Sequence, residues 1–160
     1  MREILFKAKA INRDKGYHRT NYKNGDWVCG LITRLYDERF ENLPAEMTDE
    51  NGVSRIEIDH NTICQYTGLT DYDGNKIWEN DIIRLHDFTS EDYIVVWNKD
   101  MGAYVICTAI TKLESIDLVG DCVQEIQYVE VIGNIFDNPE LMNTTETIGH
   151  TDNGGLMSAT

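Results

Sequence analysis

Asp71, Asp73 and Asn75 set three side-chain oxygens at alternate positions, the spacing with which an EF-hand loop begins to wrap a calcium ion. Lys76 stands where that loop needs Gly, and Ile82 where it needs a bidentate Glu. The spacing therefore predicts a turn and no calcium site. Just downstream, Glu79 and Asp81 are close enough in sequence to be considered as an acid–base pair. Solvation of a turn and a strand edge is the role expected of them, because Asn- and Asp-rich stretches favour turns. His18, His60, His86 and His150 are dispersed singly, so neither a His metal triad nor a Ser-His-Asp arrangement has local support. No Gly-x-Gly-x-x-Gly or P-loop pattern occurs.

Cys29, Cys64, Cys107 and Cys122 are widely separated, with no Cys-x-x-Cys pair and no His at ligand spacing. Each lies in an apolar or β-like run, which reads as a small buried hydrophobe and not as a ligand or nucleophile. Between Arg13 and Lys23, bases alternate with Tyr17 and Tyr22, a pattern that could follow a single nucleic-acid strand by charge and stacking. A solvated loop is the reading preferred for it. Trp27, Trp78 and Trp97 fall in or beside strands, where core packing competes with an exposed aromatic face. No catalytic residue, cofactor-binding residue or metal ligand is assigned, and the chain is expected not to be an enzyme.

The residues that would position such groups read as β-structure. Ile4, Phe6, Ala8 and Ala10 alternate with Glu3, Lys7 and Lys9, the period of a strand with one wet face. Residues 27–36 form a second strand, in which Gly30 marks a bulge or a close backbone approach. The acidic, polar stretch 37–52, with Pro44, reads as a long surface loop. Val53, Ile56 and Ile58 mark a third strand, followed by a turn capped by Asp59 or Asn61.

Residues 65–84 are the organising hairpin. Asp73-Gly74 is read as a two-residue turn that lets Leu69 meet Ile77 or Trp78, and Asn80-Asp81 as a second turn. Strands follow at 82–86, 93–97 and 103–107, with turn signals at 87–92 and 98–102. Residues 108–118 are ambiguous and lean to irregular or helical. A last long strand runs from Val123 to Ile132. Pro139 opens a helical turn with Asn138 as its cap. Strands at short, regular spacing predict a mainly β, antiparallel barrel- or sandwich-like single domain over 1–142. Residues 143–160 form a polar tail, disordered alone or docked on a neighbouring subunit.

At 160 residues one core is the simplest solution. A formal charge of −14 repels nucleic acid and anionic lipid unless a local patch overrides it, so neither nucleic acid nor membrane is an expected partner. No apolar run approaches membrane-spanning length, and no secretory segment follows Met1. A cytoplasmic protein with free thiols is expected.

Three segments also carry a resemblance. Gln65-Tyr66-Thr67-Gly68-Leu69 precedes a turn with Gly74 at its tip, then Lys76, Ile77, Trp78, Glu79, Asp81, Ile82 and Ile83. Arg2-Glu3-Ile4-Leu5-Phe6-Lys7-Ala8 begins the chain, and Val131-Ile132-Gly133-Asn134-Ile135-Phe136-Asp137-Asn138-Pro139-Glu140-Leu141 closes the match. Together they resemble the YopX family of small phage and prophage proteins. Lys9 stands where that family often has an aromatic residue, and Asn80 where it usually has Gly. The resemblance implies a mainly β fold, a phage or prophage origin, self-association and no established biochemical activity.

Two functional expectations follow. The first is a non-enzymatic, self-associating protein–protein interaction module. The alternative is an acidic decoy whose 28 carboxylates mimic nucleic acid and occupy a host or phage nucleic-acid-binding protein.

Overall fold

The computed structural model describes residues 3–11, 21–35, 45–53, 55–86, 92–108, 116–117 and 129–143. Its strands form two antiparallel sheets in a sandwich-like single domain that is not a closed barrel. The first sheet has the order β4-β3-β2-β1-β5-β6. It comprises β1 (Phe6–Lys9), β2 (Trp27–Arg34), β3 (Ala45–Asp49), β4 (Ile56–Ile58), β5 (Cys64–Thr70) and β6 (Lys76–Trp78). The second has the order β10-β9-β8-β7-β11. Its members are β7 (Asp81–Leu85), β8 (Asp92–Asn98), β9 (Ala103–Thr108), β10 (Ile116–Asp117) and β11 (Val129–Asn134).

Alternation decides which side chains each sheet buries. On one face of the first sheet, Ala8, Ala10, Val28, Met47, Ile56 and Ile58 close into one cluster. The second sheet buries Ile83, Leu85, Tyr93, Val95, Tyr104, Ile106 and Val129. Ile77 and Leu69 join that second cluster, although their strands hydrogen-bond within the first sheet. The β5–β6 hairpin therefore ties the two sheets through side chains, with Leu69 packed against the cluster that contains Ile77. Its tip also covers an edge: Tyr72 donates its N–H to the Val129 carbonyl at 3.1 Å, and the Asp71 carboxylate accepts from Val131 N at 3.3 Å. At the other end, Ala10 bridges Ile58, and Ile11 donates to the Glu57 carbonyl at 2.8 Å, so β4 is met by the end of β1. Covered edges limit strand-to-strand aggregation.

Several expectations are corrected. Residues 45–49 are not loop but the interior strand β3, paired with both β2 and β4. Its buried half is Ala45, Met47 and Asp49, so only one large apolar residue announces it. Asp49 can be buried because its carboxylate accepts from Asn51 N, Val53 N and the Tyr22 hydroxyl at 2.7–3.0 Å. Val53 lies in that turn, outside β4.

The hairpin turn is not a two-residue turn at Asp73-Gly74 but a five-residue loop from Asp71 to Asn75, with positive φ at Gly74 and not at Asp73. Asn138 stands at the cap position of its turn as expected, and acts there through its carbonyl. The 3-10 turn Pro139–Asn143 opens with Leu141 N donating to the Asn138 carbonyl, while Asn138 Oδ1 faces Asn134 N. Ile116–Asp117 is a short strand, and the rest of 109–128 lies outside the described residues. Gly30 makes the anticipated close approach: a Cβ there would stand 2.0 Å from the Thr48 carbonyl oxygen. The 3-10 turn His60–Thr62 is capped by Asp59, which accepts from Asn61 N at 3.0 Å.

Candidate functional site

The would-be calcium loop spends its oxygens internally. The Asp71 carboxylate accepts from Asp73 N (3.0 Å), Asn75 N (2.8 Å), Asn75 Nδ2 (3.0 Å) and Val131 N. Burial pushes its pKa up, but these donors outweigh burial and hold it below the ordinary aspartate value. The Asp49 loop is built alike. In each, the Asp accepts from the backbone two and four residues on, and Gly52 or Gly74 sits at φ +83° or +86°. Such a carboxylate is a clamp for a β-turn, with its lone pairs directed at its own loop. Among the described residues no group of three or more His, Cys, Asp or Glu could hold a metal ion.

The residues that converge most closely lie where β1, β6 and β7 meet. Lys7, expected on a wet face, is instead nearly buried: its side chain is 12% exposed and that of Asp81 2%, with Nζ 2.6 Å from Asp81 Oδ1. Its ammonium also sits 5.0 Å from the Trp27 ring centroid and 5.5 Å from that of Trp78. The register explains the correction, because Lys7 pairs with Cys29 on one side and Cys64 on the other, and Trp27 pairs with Lys9. This face is then covered by Tyr66, Trp78 and Phe136.

Asp81 also accepts from Trp78 N at 2.8 Å. Burial pushes its carboxyl up more than Lys7 pulls it back. Glu79 is raised by burial as well, but its backbone is tied to Gln65 and Asp81 is committed to Lys7. Neither carboxylate solvates a turn or strand edge as the sequence predicts: Asp81 is buried against Lys7 and Trp78 N, and Glu79 is half-buried. Burial drives the Cys64 thiol up to about 11, and burial with Glu50 nearby raises Cys29, which suits packing and not nucleophilic attack.

The segment after β11 closes over this face. Asp137 accepts from Trp27 Nε1 at 2.6 Å, from Asn134 Nδ2 at 2.9 Å and from Lys9 Nζ. Phe136 meets Trp27 edge-on at 5.9 Å. Burial raises the Asp137 pKa, yet Lys9, Asn134 and Trp27 bring it down to about 2. Lys7 and Asp137 are the members that sequence reasoning missed. Nothing local marks Lys7 as an internal cation, because Trp27 and Trp78 come beside it only through the fold. Asp137 carries no such signal either, since Lys9 and Trp27 lie more than one hundred residues away.

Of the remaining candidates among the described residues, His60, His86 and Trp97 lie apart from this face. His60 lies in an exposed turn, and His86 Nε2 faces Glu130 Oε2 at 2.6 Å on the second sheet. Trp78 is core, Trp27 is half-buried, and Trp97 is exposed at the far end of β8. His18, His150, Cys122 and residues 12–20 of the basic segment lie outside the described residues, as does the tail beyond 143. No helix among the described residues is long and apolar enough to cross a membrane.

A search of curated proteins finds no match. Among solved structures, the crystal structure of protein EF1440 from Enterococcus faecalis is similar over 88% of this chain and 98% of its own, at 21% identity and a TM-score of 0.49. The family model described as YopX protein matches residues 10–143, a span holding the hairpin, the Asp81 junction and the Asp137 segment, and the chain belongs to the YopX family.

Proposed function

We propose that this is a phage- or prophage-encoded, non-enzymatic module that works in the host cytoplasm by protein–protein contact, including contact with copies of itself. The observation that carries the reading is a division of labour between polar and apolar side chains. Asp49, Asp71, Asp81 and Asp137 each direct their carboxylates at donors of their own chain. Large apolar residues, among them Leu31, Trp97 and Met101, are left exposed. Catalytic groups are usually poised toward a cleft, whereas exposed apolar residues favour a docked partner.

Light scattering on the full chain across a wide concentration range tests the self-association. A concentration-dependent rise above 18.4 kDa is expected, and a monomer throughout would remove that part of the reading. The acidic decoy is supported by the charge of −14. Against it stands the inward commitment of the four aspartates just named, which withdraws them from any phosphate-like array. Competition between this protein and DNA for a basic host protein would bring the decoy forward, and failure to compete at low salt would retire it.

A further inference from the structure

We propose that Asn51 is a deamidation site held closed by its own loop, so that opening of the Asp49 clamp sets the rate at which it is modified. Asn51-Gly52 is a dipeptide in which this chemistry runs readily, because Gly has no Cβ to hinder the approach of its own nitrogen. The Gly52 nitrogen gives its proton to solvent base and attacks Asn51 Cγ. A C–N bond forms, the side-chain amide leaves as ammonia, and a cyclic imide closes. Water then opens the ring at either carbonyl to give aspartate or isoaspartate, so no reactant beyond water is needed. Asn51 and Gly52 are both exposed, and water reaches them.

The loop opposes the attack. The Gly52 N–H, whose nitrogen is the nucleophile, donates to the Asp49 carbonyl at 3.1 Å. On either side of it, Asn51 N and Val53 N donate to Asp49 Oδ1 at 3.0 and 2.7 Å, and Asp49 N donates to the Val53 carbonyl at 2.9 Å. The backbone that must swing to bring Gly52 N onto Asn51 Cγ is thus pinned at both neighbours by one carboxylate. Asp49 is itself 7% exposed and held by the Tyr22 hydroxyl at 2.9 Å. Modification therefore waits on local opening.

The twin loop shows which product fits. In the place of Asn51 it carries Asp73, and it closes with the same bonds, Gly74 N donating to the Asp71 carbonyl at 3.0 Å. Aspartate at position 51 thus keeps the clamp. Isoaspartate lengthens the main chain and carries Gly52 and Val53 out of register with Asp49, leaving the β3–β4 turn unclamped.

Peptide mapping by mass spectrometry of the full chain, incubated at mildly alkaline pH with and without unfolding urea, is the test. In the folded wild type Asn51 should deamidate at least about tenfold more slowly than in urea, the protection that a locally closed loop confers. Asp49→Ala, its fold confirmed by circular dichroism, should remove most of that protection. It should leave Asn24-Gly25 unchanged, because Gly25 N is closed by a separate bond to the Ala10 carbonyl at 2.9 Å. Asp49→Asn keeps an acceptor oxygen and should stay slow. Equal rates with and without urea overturn the proposal, as does a folded Asp49→Ala in which Asn51 stays slow or both pairs speed up alike. Where Asp49→Ala does not fold, the wild-type comparison and Asp49→Asn decide.

Discussion

Asp71 concentrates much of the hairpin's local order in one side chain. Its carboxylate holds three donors within its own loop and a fourth on β11. Asp71→Ala leaves these donors without their acceptor, and the expected cost is about 2–4 kcal/mol, from the ~1–3 kcal/mol penalty of an unsatisfied buried group multiplied over partly solvated donors. Urea denaturation reads it, and an unchanged midpoint would show that water replaces the carboxylate at no cost. Gly30 is a second single-residue constraint. A methyl group at that position would meet the Thr48 carbonyl at 2.0 Å and Asp49 Cα at 2.9 Å, both backbone atoms that cannot rotate away. Gly30→Ala should therefore separate β2 from β3 and cost about 3 kcal/mol, at the upper end of overpacking effects. Thermal melting of that variant checks it.

At the scale of elements, the Lys7–Asp81 pair joins β1 of one sheet to β7 of the other, at a place where both side chains are nearly buried. The pair's own contribution is small after desolvation, but breaking it is not. Lys7→Met leaves Asp81 charged, buried and short of its cation, with an expected loss of about 3–5 kcal/mol. Because the variant removes the cation that draws the Asp81 pKa down, its deficit should shrink as pH falls and Asp81 takes up a proton. A deficit that stays constant between pH 7 and 5 would mean that solvent already reaches Asp81. Asn80 works at the same junction. It adopts φ +66°, the left-handed region where the family usually has Gly, and its backbone links β8 and the segment after β11 through Val95 and Ile135.

For the molecule as a whole, the segment after β11 acts as a strap from the second sheet onto the first, fastened by Asp137 to Lys9 and Trp27. A carboxylate held at about 2 contributes stability that is full above the unfolded aspartate value of ~3.9 and is lost as pH falls from there toward 2. Acid unfolding should therefore steepen across that window and be accompanied by a change in Trp27 emission. Asp137→Asn should flatten that part of the profile, and an identical profile would mean that the strap does not depend on the charge.

How much of this was legible beforehand follows from the range of each interaction. Alternation and turn residues act over a few neighbours, so the β class, most strand positions and the hairpin at 65–84 could be read from the sequence alone. It also announced the close approach at Gly30. It concealed β3, whose buried half includes Ala45 and an Asp49 that becomes apolar in effect only once its own turn supplies donors. It placed Lys7 in water, since nothing local reveals that Trp78 and Phe136 return to cover that face. The two-sheet order, the Lys7–Asp81 junction and the Asp137 strap came from the folded chain. The junction and the strap depend on groups brought together from 74 or more positions apart, and burial, which sets their energies, exists only after the chain has closed.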